Sequence, residues 1–155
     1  MQPAERIEID DLSRAEVHSL LDGHLADMHA TSPRDSVHAL DVAALAHPAV
    51  TVWTLWERDD VLGCAALKEL SSTEGEIKSM RTSPSARGRG VATRLLTTVI
   101  EEARRRGYSR LNLETGTQEF FAPARRLYER HGFVPCAPFA DYRPDPHSAF
   151  FTLTL

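Results

Sequence analysis

The segment 77–103 constrains the fold of this chain more than any other stretch. It begins with a strand-like run at 77–82 and continues through a turn rich in glycine and arginine at 83–90. After the turn, apolar residues recur at the spacing of one helix face. A helix that opens directly from a turn presents unpaired backbone N–H groups and the positive end of its dipole. The junction is therefore suited to an anion such as a phosphate. The apolar helix positions are Val91, Ala92, Leu95, Leu96, Val99, Ile100 and Ala103.

The turn itself favours a diphosphate. Gly88 and Gly90 carry no Cβ atom that would hold an anion away from the main chain. Arg87 and Arg89 add positive charge beside them. The sequence therefore predicts a diphosphate-binding cradle where a strand gives way to a helix.

The other elements predict one mixed α+β domain over residues 1–155. Alternating or β-branched runs indicate strands at 5–9, 50–57, 61–70, 76–82, 108–115, 133–134 and 149–155. Apolar periodicity and breakers indicate helices at 15–28, 37–46, 90–107 and 120–130. Asp11 or Ser13 is the expected cap of the first helix.

Two connections predict how the strands pair. The runs 50–57 and 61–70 are joined by a short polar turn, which favours an antiparallel hairpin. The runs 76–82 and 108–115 are joined through a helix, which makes a right-handed βαβ unit. This second pair is therefore expected to be parallel.

Composition narrows the class of protein. A net charge of −4 and a pI near 6.0 argue against general nucleic-acid binding. The apolar runs are far shorter than a membrane span, and the polar start of the sequence does not resemble a signal peptide. Cys64 and Cys136 form neither a disulfide framework nor a ligand set, and no histidine pair has zinc-ligand spacing with a third partner. We therefore expect a cytoplasmic protein without a metal, a membrane anchor or a nucleic-acid partner.

Two motifs, in this order, resemble the GNAT superfamily of N-acetyltransferases. Residues 87–92 match Arg/Gln-x-x-Gly-x-Gly/Ala, the acyl-coenzyme-A-binding motif of that superfamily, and residues 124–133 look like its Ala-x-x-Leu-Tyr-x-x-x-Gly-Phe helix. The tail at 138–148 further resembles an uncharacterised bacterial subgroup. The resemblance covers nearly the whole chain. It implies an acyl-CoA N-acyltransferase fold, with a mixed sheet of about six to seven strands, a splayed parallel pair and about four flanking helices.

The resemblance also implies how acetyl-CoA, the co-substrate, is bound. Backbone amides at 87–92 would hold the pyrophosphate, and the strand edge at 80–82 would pair with the pantetheine arm. The parallel strands would separate near Met80 and Thr115, which leaves a slot for the thioester. A backbone N–H near Met80 would stabilise the developing oxyanion. The implied coenzyme contacts are Met80, Arg81, Thr82, Arg87, Gly88, Arg89, Gly90, Val91, Ala92, Thr115, Ala124 and Tyr128.

Acetyl transfer to an amine requires a proton acceptor, because alkylammonium groups have a pKa near ~10. Glu76 is the leading candidate for this base, since members of the superfamily often carry a glutamate at the matching place, and Glu114 on the neighbouring strand is its rival. Tyr128 is the leading acid for the departing thiolate. The non-catalytic interpretations are a solvated carboxylate at a strand end for Glu76 and a core aromatic residue for Tyr128.

One position departs from the superfamily pattern. Where an Asn or Gln often contacts the coenzyme, seven residues before the motif tyrosine, this chain has Phe121, and Gln118 is the candidate to replace the contact. In the loop near the C-terminus, Tyr142, Asp145 and His147 are candidates to shape the acceptor pocket. A structural role for that loop is equally open.

Two other functions compete with acetyl transfer to an amine of a small molecule or protein. A dinucleotide-dependent enzyme is disfavoured, because the third glycine of the Gly-x-Gly-x-x-Gly fingerprint is Thr93 and a long antiparallel section precedes the cradle. A module that binds acyl-CoA as a signal without turnover stays open. The sequence identifies neither the acceptor nor the oligomeric state. Similar proteins commonly form homodimers, so a homodimer is one expectation.

Overall fold

The computed structural model describes residues 4–33 and 41–155. Within them, seven strands form a single mixed sheet in the order β1-β2-β3-β4-β5-β7-β6. The strands are β1 (Glu5–Ile9), β2 (Val50–Glu57), β3 (Asp60–Glu69), β4 (Glu74–Thr82), β5 (Arg110–Gly116), β6 (Val134–Pro135) and β7 (Ser148–Thr154). The α-helices are α1 (Ala15–Thr31), α2 (Val42–Leu45), α3 (Val91–Arg105) and α4 (Ala122–Arg130). This architecture confirms the predicted fold class.

The pairing of the strands also matches the prediction. β2 and β3 form an antiparallel hairpin, while β4 and β5, which α3 connects, are parallel neighbours. β5 then pairs antiparallel with β7 at the other end of the sheet. Since the connection between β4 and β5 passes through α3, the cradle lies at the carboxyl end of a central strand.

Two apolar clusters sandwich the sheet. On one face, α3 and α4 bury a cluster that includes Leu95, Leu96, Leu111 and Leu113. On the other face, α1 and α2 cover a smaller cluster around Trp56. The one-sided apolar stripe predicted for α3 is therefore the face that packs on the sheet.

Local differences occur at the starts of two helices. The expected caps of α1 are wrong: Asp11 accepts hydrogen bonds from the backbone N–H and the hydroxyl of Ser13, and α1 begins after Arg14 without a side-chain cap. The predicted helix 37–46 lies partly outside the described residues. Its described part, α2, is capped by Asp41, whose Oδ1 accepts a 2.8 Å hydrogen bond from the backbone N–H of Ala44.

Candidate active site

β4 and β5 separate in the middle of the sheet. Their parallel pairing runs from Glu74 opposite Arg110 to Ile77 opposite Leu113 and goes no further. Beyond that point β4 still pairs with β3, and β5 still pairs with β7. Each strand therefore stays ordered on its outer side while a slot opens between the two.

A β-bulge in β4 lies beside this slot. Cys64 of β3 pairs with Arg81, whereas Ala66, two residues on, pairs with Lys78, so one residue of β3 faces two residues of β4. Ser79 has a φ of 53° at this bulge, a left-handed conformation that is uncommon for a residue with a side chain. The thiol of Cys64 donates a 3.3 Å hydrogen bond to the carbonyl of Ser79. Burial raises the pKa of that thiol to about 12, which keeps it a donor.

A cavity of about 720 Å³ runs through the slot. Its lining comes from β4, β5, the cradle, α3, α4 with the turn before it, one turn of α1, and Tyr142 from the segment between β6 and β7, so it reaches both faces of the sheet. The predicted coenzyme contacts that line the cavity are Met80, Arg81, Thr82, Arg87, Gly88, Gly90, Val91, Ala92, Thr115, Ala124 and Tyr128. Both predicted catalytic residues, Glu76 and Tyr128, line it as well.

The cradle has the backbone geometry that an anion site requires. Gly88 and Gly90 have φ angles of 79° and 78°, a region that disfavours any residue with a Cβ atom. Gly90 is the N-cap of α3 and supplies no capping side chain. The first N–H groups of α3 are consequently not covered by a cap, and they carry the positive end of the helix dipole. These features fit a phosphate group at this position.

The two arginines of the cradle point to different partners. Arg89 forms a 2.6 Å ion pair with Glu57 and does not line the cavity, although it was predicted as a coenzyme contact. Arg87 lines the cavity and forms no ion pair with the described residues. Arg87 is therefore the side chain of this pair whose charge is available inside the cavity.

Gly63 allows α3 to start close to the sheet. A Cβ atom on this residue of β3 would lie 2.7 Å from Cγ1 of Val91 and 2.8 Å from the carbonyl oxygen of Arg81. Both distances are shorter than any ordinary contact with carbon. The absence of a side chain at Gly63 thus lets the start of α3, and the cradle with it, lie directly against β3.

Tyr128 enters the cavity from α4. The residue is 5% exposed, and its ring packs edge-on against Phe133 with the centroids 5.8 Å apart. Burial, and secondarily the charge of Glu114, raises the pKa of the phenol above its usual value. The hydroxyl therefore keeps its proton at neutral pH. No described group forms a hydrogen bond with it.

Glu76, Lys78 and Tyr142 form a buried cluster on the face of the sheet that α1 covers. Nζ of Lys78 lies 3.2 Å from Oε2 of Glu76 and 2.7 Å from the hydroxyl of Tyr142, and that hydroxyl donates a 2.5 Å hydrogen bond to the same carboxylate oxygen. Glu76 is 2% exposed. Burial, followed by the charge of Glu76, raises the pKa of Tyr142, so this phenol also stays protonated. Two donors thus occupy one oxygen of the predicted base.

Glu114 lies on β5, on the same face as Glu76, because the register pairs Glu76 with Asn112 and side chains alternate along a strand. It lines the cavity and forms no ion pair with the described residues. Burial raises its pKa to about 7, against the opposing effects of the Ser148 hydroxyl and the Lys78 ammonium. Glu114 is therefore a carboxyl group that exchanges a proton near neutral pH.

α1 closes the cavity above these carboxylates. Arg81 forms an ion pair with Asp27 of α1, and its guanidinium passes close to Gly23, where a Cβ atom would lie 3.1 Å from Nη2. His24 and Met28 face the cavity from the same helix. Burial and the charge of Arg81 lower the pKa of His24 to about 4, so its imidazole is neutral at pH 7.

The position that departs from the superfamily pattern is apolar inside the cavity. Phe121 is 7% exposed and stacks edge-on with Phe120, with the centroids 5.0 Å apart, and both rings line the cavity. Gln118 does not line it: its amide nitrogen lies 3.4 Å from Nδ1 of His147. An aromatic surface therefore lies where the superfamily pattern often has a polar contact to the coenzyme.

Sequence reasoning missed several residues of the cavity. The alternation of a strand could have identified Lys78, because it follows Glu76 by two positions and so shares its face. Nothing local indicated several others, which reach the cavity only through the fold. Among them are Met28, Phe120, Pro123 and Arg130.

Within the described part of the chain, no group of three or more His, Cys, Asp or Glu side chains could hold a metal ion. None of the helices in residues 4–33 and 41–155 has the length and apolarity needed to cross a membrane.

Comparison with known proteins identifies the family. A family model described as Acetyltransferase (GNAT) family matches residues 16–133. The uncharacterised N-acetyltransferase YsnE of Bacillus subtilis (strain 168) is 53% identical over 96% of this chain and 99% of its own length. The uncharacterised N-acetyltransferase YedL of Escherichia coli (strain K12) is 48% identical over 96% of this chain and 94% of its own length.

Solved structures agree with this assignment. A protein from Klebsiella pneumoniae subsp. pneumoniae MGH 78578, provisionally described as an acyl-CoA N-acyltransferase, superposes with a TM-score of 0.79 at 26% identity and covers 99% of both chains. A GNAT family acetyltransferase from Elizabethkingia anophelis with acetyl-CoA bound gives a TM-score of 0.68 at 15% identity, over 99% of this chain and 100% of its own. The second likeness shows the fold alone.

Proposed function

Because this chain belongs to the GNAT acetyltransferase family and its co-substrate is acetyl-CoA, we propose that it acetylates a primary amine by direct attack in a ternary complex. One observation carries the proposal. A single cavity joins an uncapped helix N-terminus to two carboxylates and a protonated phenol, through a slot between two parallel strands. Such a cavity can hold a long nucleotide thioester at one end and an amine at the other.

The residues present fit acetyl-CoA. The N–H groups that follow Gly88 and Gly90 suit its pyrophosphate, with the guanidinium of Arg87 beside them. The edge of β4 at 80–82 suits the pantetheine amides. Phe120 and Phe121 offer apolar surface along the same cavity.

We assign the proton acceptor to Glu114 and give Glu76 a different role. Oε2 of Glu76 already accepts hydrogen bonds from Lys78 and Tyr142. Glu114 has no ion-pair partner among the described residues, and its pKa of about 7 matches the requirement for a base at neutral pH. Glu76, the base favoured from the sequence, instead supplies negative charge that attracts the ammonium form of the acceptor.

Tyr128 provides the proton for the leaving group. The neutral amine attacks the thioester carbonyl, and a C–N bond forms. A backbone N–H near Met80 stabilises the oxyanion, and the C–S bond then breaks. The thiolate takes the phenolic proton of Tyr128. Of the two protons lost by the ammonium, one restores Tyr128 and one leaves through Glu114 to solvent, so that charge and atoms balance.

Two measurements test the proposal. Calorimetric titration with acetyl-CoA and with NAD should show binding of acetyl-CoA, and binding of NAD alone would contradict it. Thiol release from acetyl-CoA over a panel of amines should then show amine-dependent turnover. Tight binding of acetyl-CoA without thiol release for any amine would favour the module that senses acyl-CoA.

A further inference from the structure

We propose that Lys78 is itself an acetyl acceptor, so that the protein acetylates its own Nζ when acetyl-CoA is bound and no external amine fills the cavity. This inference rests on the acetyl transfer proposed above. It adds a modification site to the protein and a way in which the active site limits its own turnover.

The first support comes from composition. The chain has 18 basic side chains of the Lys and Arg type, and only Lys68 and Lys78 among them are lysines. A guanidinium is not deprotonated in proteins and so cannot attack a thioester, whereas a lysine amine can. One of the two potential nucleophiles of this kind therefore lies inside the cavity of an acetyltransferase.

The second support is the position of Lys78. It precedes Met80 by two residues on β4, at the point where the strand parts from β5, and it lines the large cavity although its side chain is only 9% exposed. Its Nζ lies 3.2 Å from the Glu76 carboxylate and 2.7 Å from the hydroxyl of Tyr142. The nitrogen lies 5.4 Å from the centre of the Tyr142 ring. A carboxylate, a phenol and an aromatic face are what an acceptor ammonium would need here.

Lys68 provides an internal comparison. It pairs with Glu76 across β3 and β4, but it lines a second cavity of about 370 Å³ rather than the large one. Among the described residues, the two cavities share Glu76, Lys78 and Tyr142. These three side chains form a partition, with Lys68 on the side away from the slot. Lys68 has the same chemistry as Lys78 without access to the thioester.

The transfer to Lys78 balances like the transfer to an external amine, except that Glu76, the carboxylate in contact with Nζ, accepts the first proton in place of Glu114. The ammonium gives one proton to Glu76, the neutral nitrogen attacks the acetyl carbonyl, and the C–N bond forms. The C–S bond breaks, and the thiolate is protonated by Tyr128. The second nitrogen proton restores the phenol, while the proton on Glu76 passes to solvent. The products are acetyl-Lys78 and coenzyme A.

Acetylation of Lys78 would change the site in two respects. It removes the cation that pairs with the buried Glu76 carboxylate, and a buried charge without a partner is costly. The amide also occupies space beside the slot. Turnover of an external amine should therefore fall in proportion to the modified fraction.

The test is intact-protein and peptide mass spectrometry after incubation with acetyl-CoA and no amine. We expect one acetyl group, on Lys78, with Lys68 unmodified. Lys78→Arg should abolish the modification, and Lys68→Arg should leave it unchanged. Tyr128→Phe should slow it at least about tenfold, as expected for loss of a general acid. Acetic anhydride applied to the same unfolded variants controls for the intrinsic reactivity of each lysine.

An unmodified Lys78 would overturn the inference, as would equal modification of Lys68 and Lys78, which marks non-enzymatic acetylation. Thiol release with external amines is measured on the same preparation. Amine-dependent release with an unmodified Lys78 would overturn this inference and leave the proposed function intact. Failure to bind acetyl-CoA would overturn both.

Discussion

The hydroxyl of Tyr142 donates a hydrogen bond of 2.5 Å to Oε2 of Glu76, although the two residues are 66 positions apart in the sequence. Tyr142 lies in the irregular segment between β6 and β7, and its ring packs against Phe139 and Phe150 with centroids 5.1 and 5.5 Å away. The aromatic packing therefore holds a phenol over the Glu76 end of the cavity. The hydrogen bonding of the Glu76 carboxylate depends on this contact.

Tyr142→Phe should remove the hydrogen bond to Glu76 while keeping the ring. Loss of a buried bond to a charged group costs about 1–3 kcal/mol, so the free energy of unfolding in urea should fall by that order. The acceptor KM should rise, because Glu76 is proposed to attract the acceptor ammonium. Among the described residues, Lys78 alone would then hold that carboxylate in place. Phe139→Leu is the control, since it alters the packing but not this bond. A Tyr142→Phe variant with unchanged stability and KM would show that the cluster is unimportant.

Glu114→Gln should remove a pH dependence. A base must be deprotonated, so kcat/KM of the unmodified protein should rise with pH through about 7, the pKa of Glu114. The variant should lose this inflection together with ~10²–10⁴ of activity. Glu76→Gln should retain the inflection. If Glu76→Gln loses it instead, the base is Glu76, as the sequence first indicated.

The same carboxyl group should affect stability in a direction opposite to that of a salt bridge. Its pKa is raised on folding, so the folded state binds more protons, and stability is lost as pH rises from about 4.5 through about 7. Glu114→Gln removes this loss. The variant should therefore unfold at a higher urea concentration than the unmodified protein at pH 8, and the gain should shrink at pH 4. If the variant and the parent protein had equal urea midpoints at both pH values, the burial of Glu114 would be contradicted.

Tyr128→Phe should separate binding from chemistry. It leaves the ring packed on Phe133 but removes the proton that the leaving thiolate needs. We expect turnover at least about tenfold lower with coenzyme affinity unchanged in calorimetry. Unchanged turnover would remove Tyr128 from the mechanism.

Gly88→Ala should weaken coenzyme binding, and Gly107→Ala is its matched control. Both glycines have nearly the same backbone angle, with φ of 79° and 80°, and both would place a Cβ atom in open space. The cost of the left-handed conformation is therefore similar, about 1–2 kcal/mol. Gly88 lies before α3 in the cradle, whereas Gly107 lies after the helix. Equal loss of affinity for coenzyme A in both variants would contradict a phosphate site at the cradle.

Arg87→Ala should lower the affinity for coenzyme A more than Arg89→Ala. Arg87 lines the cavity, and Arg89 is held by Glu57 outside it. The difference should diminish at high salt, because a charge that contacts phosphate near the surface is screened. Titrations at two salt concentrations check this, and a larger effect at Arg89 would reverse the assignment.

How far the sequence predicted the molecule depends on how local each feature is. The backbone geometry of the predicted cradle followed from neighbouring residues, since Gly88, Gly90 and the start of α3 lie within one turn of chain. The parallel pairing of β4 and β5 followed from the intervening helix, because a crossover of that kind has one favoured hand. The seven-strand sheet confirms the predicted fold class, and membership of the acetyltransferase family confirms the predicted acetyl-CoA co-substrate. The anion site at the cradle stays a prediction.

Other features escaped because they depend on distant parts of the chain. The Arg89 side chain points to Glu57 on β2, with which it forms an ion pair. The Gln118 amide, the candidate for a polar coenzyme contact, lies beside His147 instead. The strained Ser79 results from one extra residue in β4 relative to β3, which no local pattern announces. Neither the bulge nor these pairings has a periodicity that could be read along the sequence.

The sequence by itself determined the turn and the helix start of the predicted cradle, because a backbone turn and a helix dipole are short-range properties of consecutive residues. The tertiary structure alone decided the chemistry of the buried carboxylates. It buried Glu114 enough to raise its pKa to about 7, and it placed Tyr142 and Lys78 on Glu76. The physical reason is that desolvation and pairing of charges depend on which distant segments pack over a residue, and that is known only once the chain is folded.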